Sequence, residues 1–367
     1  MDINKFTRIV FKLGSSIITS DNGEIRAEWL ISLAKDISAL IAQGKEVIIV
    51  TSGGVSLGRK FIGKPNGKLK LEEKQAAVAC GQIELMQGYK AAFKPLNVAQ
   101  VLLTAWDTER RRSYLNAKSA IETLLKLKII PVINENDVVA TSELNYGDND
   151  RLSARVAQML AADLLIIFSD VDGLYDDNPN INKNAKHISE VPQITPEIEA
   201  MAGEPAGKHG TGGMRTKIEA AKIAVRAGCD CVITNGHNLG SLGNLINGKQ
   251  KFTRFASQVN PLTARKKWIV SGVKPMGEII IDNGAATALS KGNSLLPAGA
   301  VGVKGNFERG DLVIVRTESA EIGRGLVAYS TSDAEKIIGK KSGEIEKILG
   351  FSGRDELIHR DDLVLTA

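Results

Sequence analysis

Between residues 8 and 235 the chain alternates two kinds of segment, and this alternation limits the fold more than any other feature of the sequence. Short continuous apolar runs, rich in β-branched residues, are each followed by a longer stretch with apolar residues at helical spacing. "RIVFKLG" leads to "EWLISLAKDISALIAQG", which ends at Gly44, a natural helix stop. "EVIIVTSGG" leads to "KQAAVACGQIELMQGYKAAF", which reads as a buried helix, and "VAQVLLT" leads to "RRSYLNAKSAIETLLKLK". "IIPVINEND" precedes "DRLSARVAQMLA", "DLLIIFSDVDGLY" precedes "MRTKIEAAKIAVRAG", and "CDCVITNG" closes the series. A strand that is apolar on both faces needs cover on both, and the intervening helices supply it. The expectation is an α/β fold, a mostly parallel sheet sandwiched by helices.

Past residue 267 the pattern changes to short strands, one short helix and frequent glycine turns, as in "GEIIIDNGAATALSKGNSLLPAGAVGVKGNFERGDLVIVRT" followed by "EIGRGLVAYS". That is the pattern of a small β-rich second domain, and 367 residues suit two domains. The boundaries are drawn at 1–258 for the first domain, 259–273 for a linker and 274–367 for the second. Charge marks the join. Residues 249–267 hold 6 of the 47 basic side chains and no acidic one, and with Pro261 this segment is read as the connection. Residues 268–367 carry 12 basic and 14 acidic side chains, which opposes binding to a phosphate backbone, so a dedicated RNA-binding function is disfavoured. No apolar run approaches the ~20 residues of a membrane span, and the amino-terminal run, cut by Lys12, does not read as a signal peptide. Cys80, Cys229 and Cys231 lack a zinc spacing and read as small buried residues in a reducing compartment. A soluble, cytoplasmic protein with no membrane partner is expected.

In an open parallel sheet, ligands bind beyond the carboxyl ends of the strands. Four polar turns fall at such ends: Lys12–Ser15, Thr51–Gly54, Asn134–Asp137 and Ser169–Gly173. Packing does not ask for them. Two of the glycine turns suit a phosphate. "KLGSS" puts a cation and main-chain amides at a strand exit, and "GTGGMRTK" runs three glycines straight into a helix, with Lys217 in its first turn. A basic residue there is unfavourable to the helix dipole unless it faces an anion. "GRKFIGKP" imitates a Walker loop but has Pro65 where a hydroxyl must meet Mg²⁺, and it begins well past its strand. In "NENDVVA" and "GDNDRLSA", the short side chains of Asn134, Asp137, Asn149 and Asp150 suit the ammonium and carboxylate of an amino acid. Helix capping by Asp148, Asn149 or Asp150 is the plainer alternative for the second cluster. "SDVDGLY" reads either as an ordinary acidic turn or as a nucleotide contact.

Taken together, KLGSS, TSGG, PVINEND, GDND, SDVDGLY and GTGGMRTK resemble, in order and spacing along residues 6–250, the glutamate 5-kinase family of the amino acid kinase superfamily. Residues from about Lys274 to Asp362, above all "GNSLLPAGAVGVKGNFERGDLVIV", resemble a PUA domain. Ser169 stands where that family commonly has Thr, and Gly54 where it commonly has Ala; neither removes a charge. The resemblance implies the amino acid kinase fold and transfer of the ATP γ-phosphoryl group to the side-chain carboxylate of L-glutamate, the first step of proline biosynthesis. It implies Lys12 and Lys217 as the cations at the transferring group and Asp150 as the residue that holds them. Ser52, Asp137 and Asn149 match glutamate-binding positions, with Asn134 and Asp148 beside them. Lys12, Ser169, Asp170, Thr211, Gly212, Gly213, Met214, Arg215, Thr216 and Lys217 match the nucleotide site, with Mg²⁺ carried mainly on the ATP phosphates. It further implies proline as an inhibitor, glutamate 5-semialdehyde dehydrogenase as the functional partner that takes up a labile acyl phosphate, and a homo-oligomer, dimer or tetramer. Aspartate and acetylglutamate kinases of the superfamily lack this combination of NEND, GDND and a PUA-like domain.

Overall fold

Eight strands form the main sheet of the computed structural model, which describes residues 1–139, 149–179, 181–203, 213–264 and 274–366. In chain order they include β1 (Arg8–Leu13), β2 (Glu46–Val50), β3 (Val98–Leu103), β4 (Ile130–Glu135) and β5 (Leu164–Ser169). A separate small hairpin, β6 (Leu174–Tyr175) with β7 (His187–Ile188), comes next. β8 (Glu190–Val191), β9 (Asp230–Asn235) and β10 (Phe252–Phe255) complete the sheet. Its order is β3-β4-β2-β1-β5-β9-β10-β8, and every neighbouring pair is parallel except β9 with β10. The mostly parallel sheet expected from the sequence is the one that forms.

The chain leaves β1 toward β2 on one side, and β5 later adds on the other. The carboxyl end of β1 is therefore the point where the winding reverses, the place where such sheets take ligands. Lys12 sits there, in register with Val50 of β2 and Ile167 of β5.

Among the described residues, the helices up to residue 246 are α1 (Ser15–Ile18), α2 (Ala27–Ala42), α3 (Gly54–Gly58), α4 (Leu71–Ala92), α5 (Ala105–Glu109), α6 (Arg111–Lys126), α7 (Asn149–Met159), α8 (Pro196–Ala200), α9 (Met214–Arg226) and α10 (Ser241–Ile246). Side chains alternate across a strand, and this decides which helix each meets. Phe11, Leu13, Ile49, Val132, Ile166 and Phe168 share one core with residues of α2, α4 and α10. Val10 and Lys12 point to the opposite face, where α7 packs on β1 and α9 packs on α7. Asn134 and Thr51, by the same alternation, lie on the α4 face.

Two local readings change. α4 is buried on one face only: Ala77, Val78, Gln82, Leu85 and Tyr89 are inside, whereas Ile83 is 62% exposed. The first half of the basic segment 249–267 is no linker, because Phe252–Phe255 pairs antiparallel with β9. Arg254 there meets Asp230 at 2.7 Å and Glu190 at 3.0 Å, so part of the segment's positive charge is answered from elsewhere in the chain.

The residues divide into two compact units, Met1–Glu109 with Asn116–Pro261, and Arg110–Leu115 with Leu262–Ala367. The second has its own five-stranded sheet of β11 (Gly277–Ile281), β12 (Ala300–Gly305), β13 (Leu312–Arg316), β14 (Glu321–Leu326) and β15 (Leu363–Leu365). The order is β12-β11-β13-β14-β15, and only β11 and β13 run parallel. Ile279, Phe307, Val313, Val315 and Leu357 centre its core. The one short helix expected in this part of the chain forms at Asn283–Ser290, and further helices form at Thr331–Ile337 and Ile345–Leu349. Among the described residues no helix is long and apolar enough to cross a membrane.

Candidate active site

Lys12 and Lys217, more than two hundred residues apart, converge on one carboxylate. Lys12 Nζ lies 2.5 Å from Asp150 Oδ1, and Lys217 Nζ lies 3.1 Å from Asp150 Oδ2. All three are buried: Asp150 is fully inaccessible, and the lysines are 6% and 4% exposed. Thr216 donates its hydroxyl to the same Oδ2 at 3.2 Å. Burial opposes the charge on Asp150, but Lys12 and Lys217 outweigh it and hold the carboxyl down to about 2. Among the described residues, the cluster brings two ammonium groups onto one carboxylate. Gly213 precedes α9 and provides no side-chain cap, so the first main-chain amides of the helix have no capping side chain there.

Asn149 immediately precedes Asp150 as the first residue of α7, and it faces another way. Its Nδ2 donates to Asn134 Oδ1 at 2.8 Å, to Ser52 Oγ at 2.9 Å and to the Thr51 carbonyl. Two amide hydrogens serve three acceptors. Asn134 in turn donates Nδ2 to Gln82 Oε1 of α4 at 2.8 Å, and Tyr89, seven residues further along α4, donates its hydroxyl to Thr51 Oγ1 at 2.8 Å. The turn after β2 depends on Gly53, whose φ of +100° is a conformation that other residues adopt only with strain. The first turn of one helix therefore joins a cationic cluster to a cluster of neutral amides.

A match to the amino acid kinase family spans residues 7–235, and a match to the PUA domain spans 277–349. The chain belongs to the amino acid kinase family. Within it, the chain groups with the glutamate 5-kinases. It is 54% identical over 362 residues to a protein of that name from Paramagnetospirillum magneticum, covering 98% of this chain and 97% of the relative. It is 53% identical over 369 residues to that of Nitrobacter hamburgensis, covering 100% and 97%. With the glutamate 5-kinase of Bradyrhizobium diazoefficiens it shares 51% over 368 residues, covering 99% and 98%.

The remaining positions that the family resemblance named fall as follows. Ser169 ends β5, is buried, and donates its hydroxyl to Asp170 Oδ1 at 2.7 Å; Asn235 at the end of β9 donates to the Asp170 carbonyl. Met214 opens α9, and Arg215 turns outward to Glu219 at 3.6 Å. Asp137 is half-buried just beyond β4 and makes no contact with the amide cluster that the structure records; burial raises its carboxyl and Lys74 opposes the rise. Asp148, Thr211 and Gly212 lie outside the described residues. Reading the sequence missed Glu135, Gln82 and Tyr89. Burial first, then Asp137, pushes the Glu135 carboxyl up to about 7 against the pull of Lys74. Glu135, Asp137 and Gln82 border a cavity of about 500 Å³ walled by Ile83, Met86 and Leu102. The only sequence signal for Gln82 and Tyr89 was a polar group within the apolar stripe of a helix.

Proposed function

We propose that this chain transfers the γ-phosphoryl group of ATP to the side-chain carboxylate of L-glutamate, giving L-glutamyl 5-phosphate and ADP as the first step of proline biosynthesis. The observation that carries the reading is the junction at Asn149 and Asp150, which ties an amide-lined acceptor site to a lysine clamp in a chain of the glutamate 5-kinase family. A side-chain carboxylate is already ionised at neutral pH, so an oxygen can attack phosphorus without a general base. The bond from the γ-phosphorus to its bridging oxygen breaks, and the electron pair leaves on ADP. The obstacle is the approach of two anions, met by positioning and by charge.

Lys12 and Lys217 supply that charge at the transferring phosphoryl group, in a buried site where it acts strongly. Asp150 is a positioning residue that keeps both ammonium groups together. Ser52, Asp137 and Asn149 hold the amino acid, with Asn134 and Asp148 beside them. Ser169, Asp170 and the segment Thr211–Lys217 take the nucleotide. Among the described residues no three His, Cys, Asp or Glu side chains assemble as a metal site, and Asp150 is engaged by its lysines. On this reading Mg²⁺ enters as part of the substrate, on the ATP phosphates. The same reading includes inhibition by proline, and uptake of the product by glutamate 5-semialdehyde dehydrogenase.

Incubation with ATP, glutamate and hydroxylamine tests the reaction. A hydroxamate that requires both substrates is expected, because hydroxylamine traps an acyl phosphate. Preference for aspartate in the same assay overturns the substrate reading, and activity unchanged at saturating proline overturns the inhibition.

A further inference from the structure

We infer that Gln82 sets the polarity of the acceptor site and so helps this chain select an acid that carries an ammonium group. The inference rests on the glutamate reading above. Gln82 is on the inner face of α4, 8% exposed. Its Oε1 accepts from Asn134 Nδ2 at 2.8 Å. That turns Asn134 Oδ1 the other way, where it accepts from Asn149 Nδ2 at 2.8 Å and from the Glu135 amide at 2.9 Å. Asn149 then directs its amide hydrogens into the protein, toward Asn134, Ser52 and Thr51. Its Oδ1 has no partner among the described residues. Three amides in series, all pointing the same way, leave an acceptor at the end of the row, and an acceptor suits an ammonium group.

Gln82 is poorly explained as a packing residue. Its Nε2 is buried without a hydrogen-bond partner among the described residues, a burden on stability that an apolar side chain of the same size would not carry. It is also held firmly. The neighbouring Gly81 has no room for a side chain, since a Cβ there would lie 1.9 Å from the Gly54 carbonyl oxygen. α4 therefore rests directly on the turn that carries Ser52, and Gln82 reaches Asn134 from a fixed base. Without an acceptor at position 82, the Asn134 amide hydrogens lie buried and unpaired, and conformers with that amide rotated become populated. The Glu135 main-chain amide still favours the native orientation, so the effect is a loss of discrimination rather than of all binding.

The test compares kcat/KM for L-glutamate with that for glutarate, the same diacid without the ammonium group, in the wild type, Gln82→Met and Gln82→Glu. Gln82→Met keeps the volume and removes the acceptor. It is expected to lower the preference for glutamate about tenfold through KM, with kcat and the glutarate constants within about twofold. Gln82→Glu keeps an acceptor oxygen in place and is expected to hold the preference within about threefold. Gln82→Met with the wild-type preference overturns the inference. So does a parallel loss on both acids, or a preference lost in a stably folded Gln82→Glu. A wild type that does not favour glutamate overturns the substrate reading itself, which separates the two failures.

Discussion

Asn149 and Asp150 are adjacent in the chain, yet each serves a different kind of polar group. Asp150 is a buried anion between two ammonium groups. Asn149 is a neutral amide among other neutral amides and a hydroxyl. The difference follows from what each side must do. Ions buried together are costly to separate, so the lysine side is fixed in place, with two ammonium groups held at one carboxylate. Amides have little charge but a definite direction, so the other side discriminates by orientation. In the proposed reaction the first side acts at the transition state and the second acts in binding, and single substitutions should separate the two.

The largest effect is expected from Asp150→Ala. Both lysines would lose their shared counter-charge inside the protein, costing about 3–5 kcal/mol of stability by chemical denaturation and at least ~10²-fold in kcat. Wild-type stability in this variant would show that the cluster does not hold the lysines. Lys217→Ala comes next. It leaves Asp150 paired with Lys12, so kcat should fall by ~10²-fold with the glutamate KM within about threefold. A near-normal kcat would leave the clamp without a transition-state role.

How far these two sides could be read from sequence differs for the same reason. Lys12 breaks an apolar strand and Lys217 sits in a helix's first turn, so each is out of place locally and visible without a fold. The strands that position them, β1, β2, β5 and β9, stand out as continuous apolar runs. Asn149 and Asn134 were visible as candidates, although capping was an alternative for Asn149 until its partners just beyond β2 and on β4 were known. Gln82 and Tyr89 were hidden, because a single polar group in an apolar helix stripe acquires meaning only from the strand end it meets. β10 was hidden by charge. Burial alternates along its four residues, but the sequence Phe-Thr-Arg-Phe does not, Arg254 and the neighbouring lysines gave the segment the look of a solvated link, and the answering acids, Asp230 and Glu190, are distant in sequence.

Asn149→Ala should show the converse of the lysine variant. Loss of one oriented amide is expected to raise the glutamate KM about tenfold while kcat changes less than about threefold. Steady-state rates over a range of glutamate at saturating ATP measure both. A fall in kcat with KM unchanged would place Asn149 with the clamp and remove the division of labour.

The smallest effect is a pH slope, and the two sides should give opposite signs. Asp150 has a lowered carboxyl, so its contribution to stability is present above the ordinary value of 3.8 and is lost as pH falls toward about 2. Glu135 has a raised one, from an ordinary 4.5 to about 7. Between those values the folded chain keeps a proton that the unfolded chain has released. The folded state binds more protons, so stability falls as pH rises through that window. Glu135 is only half-buried and solvent screens it, which reduces the expected change to about 1 kcal/mol. The measurement is denaturant unfolding of the wild type and Glu135→Gln at about pH 5 and about pH 7.5. The wild type should lose stability relative to the variant at the higher pH. A difference that does not change with pH would mean that Glu135 is ionised throughout, and the amide side would then border an anion rather than a neutral acid.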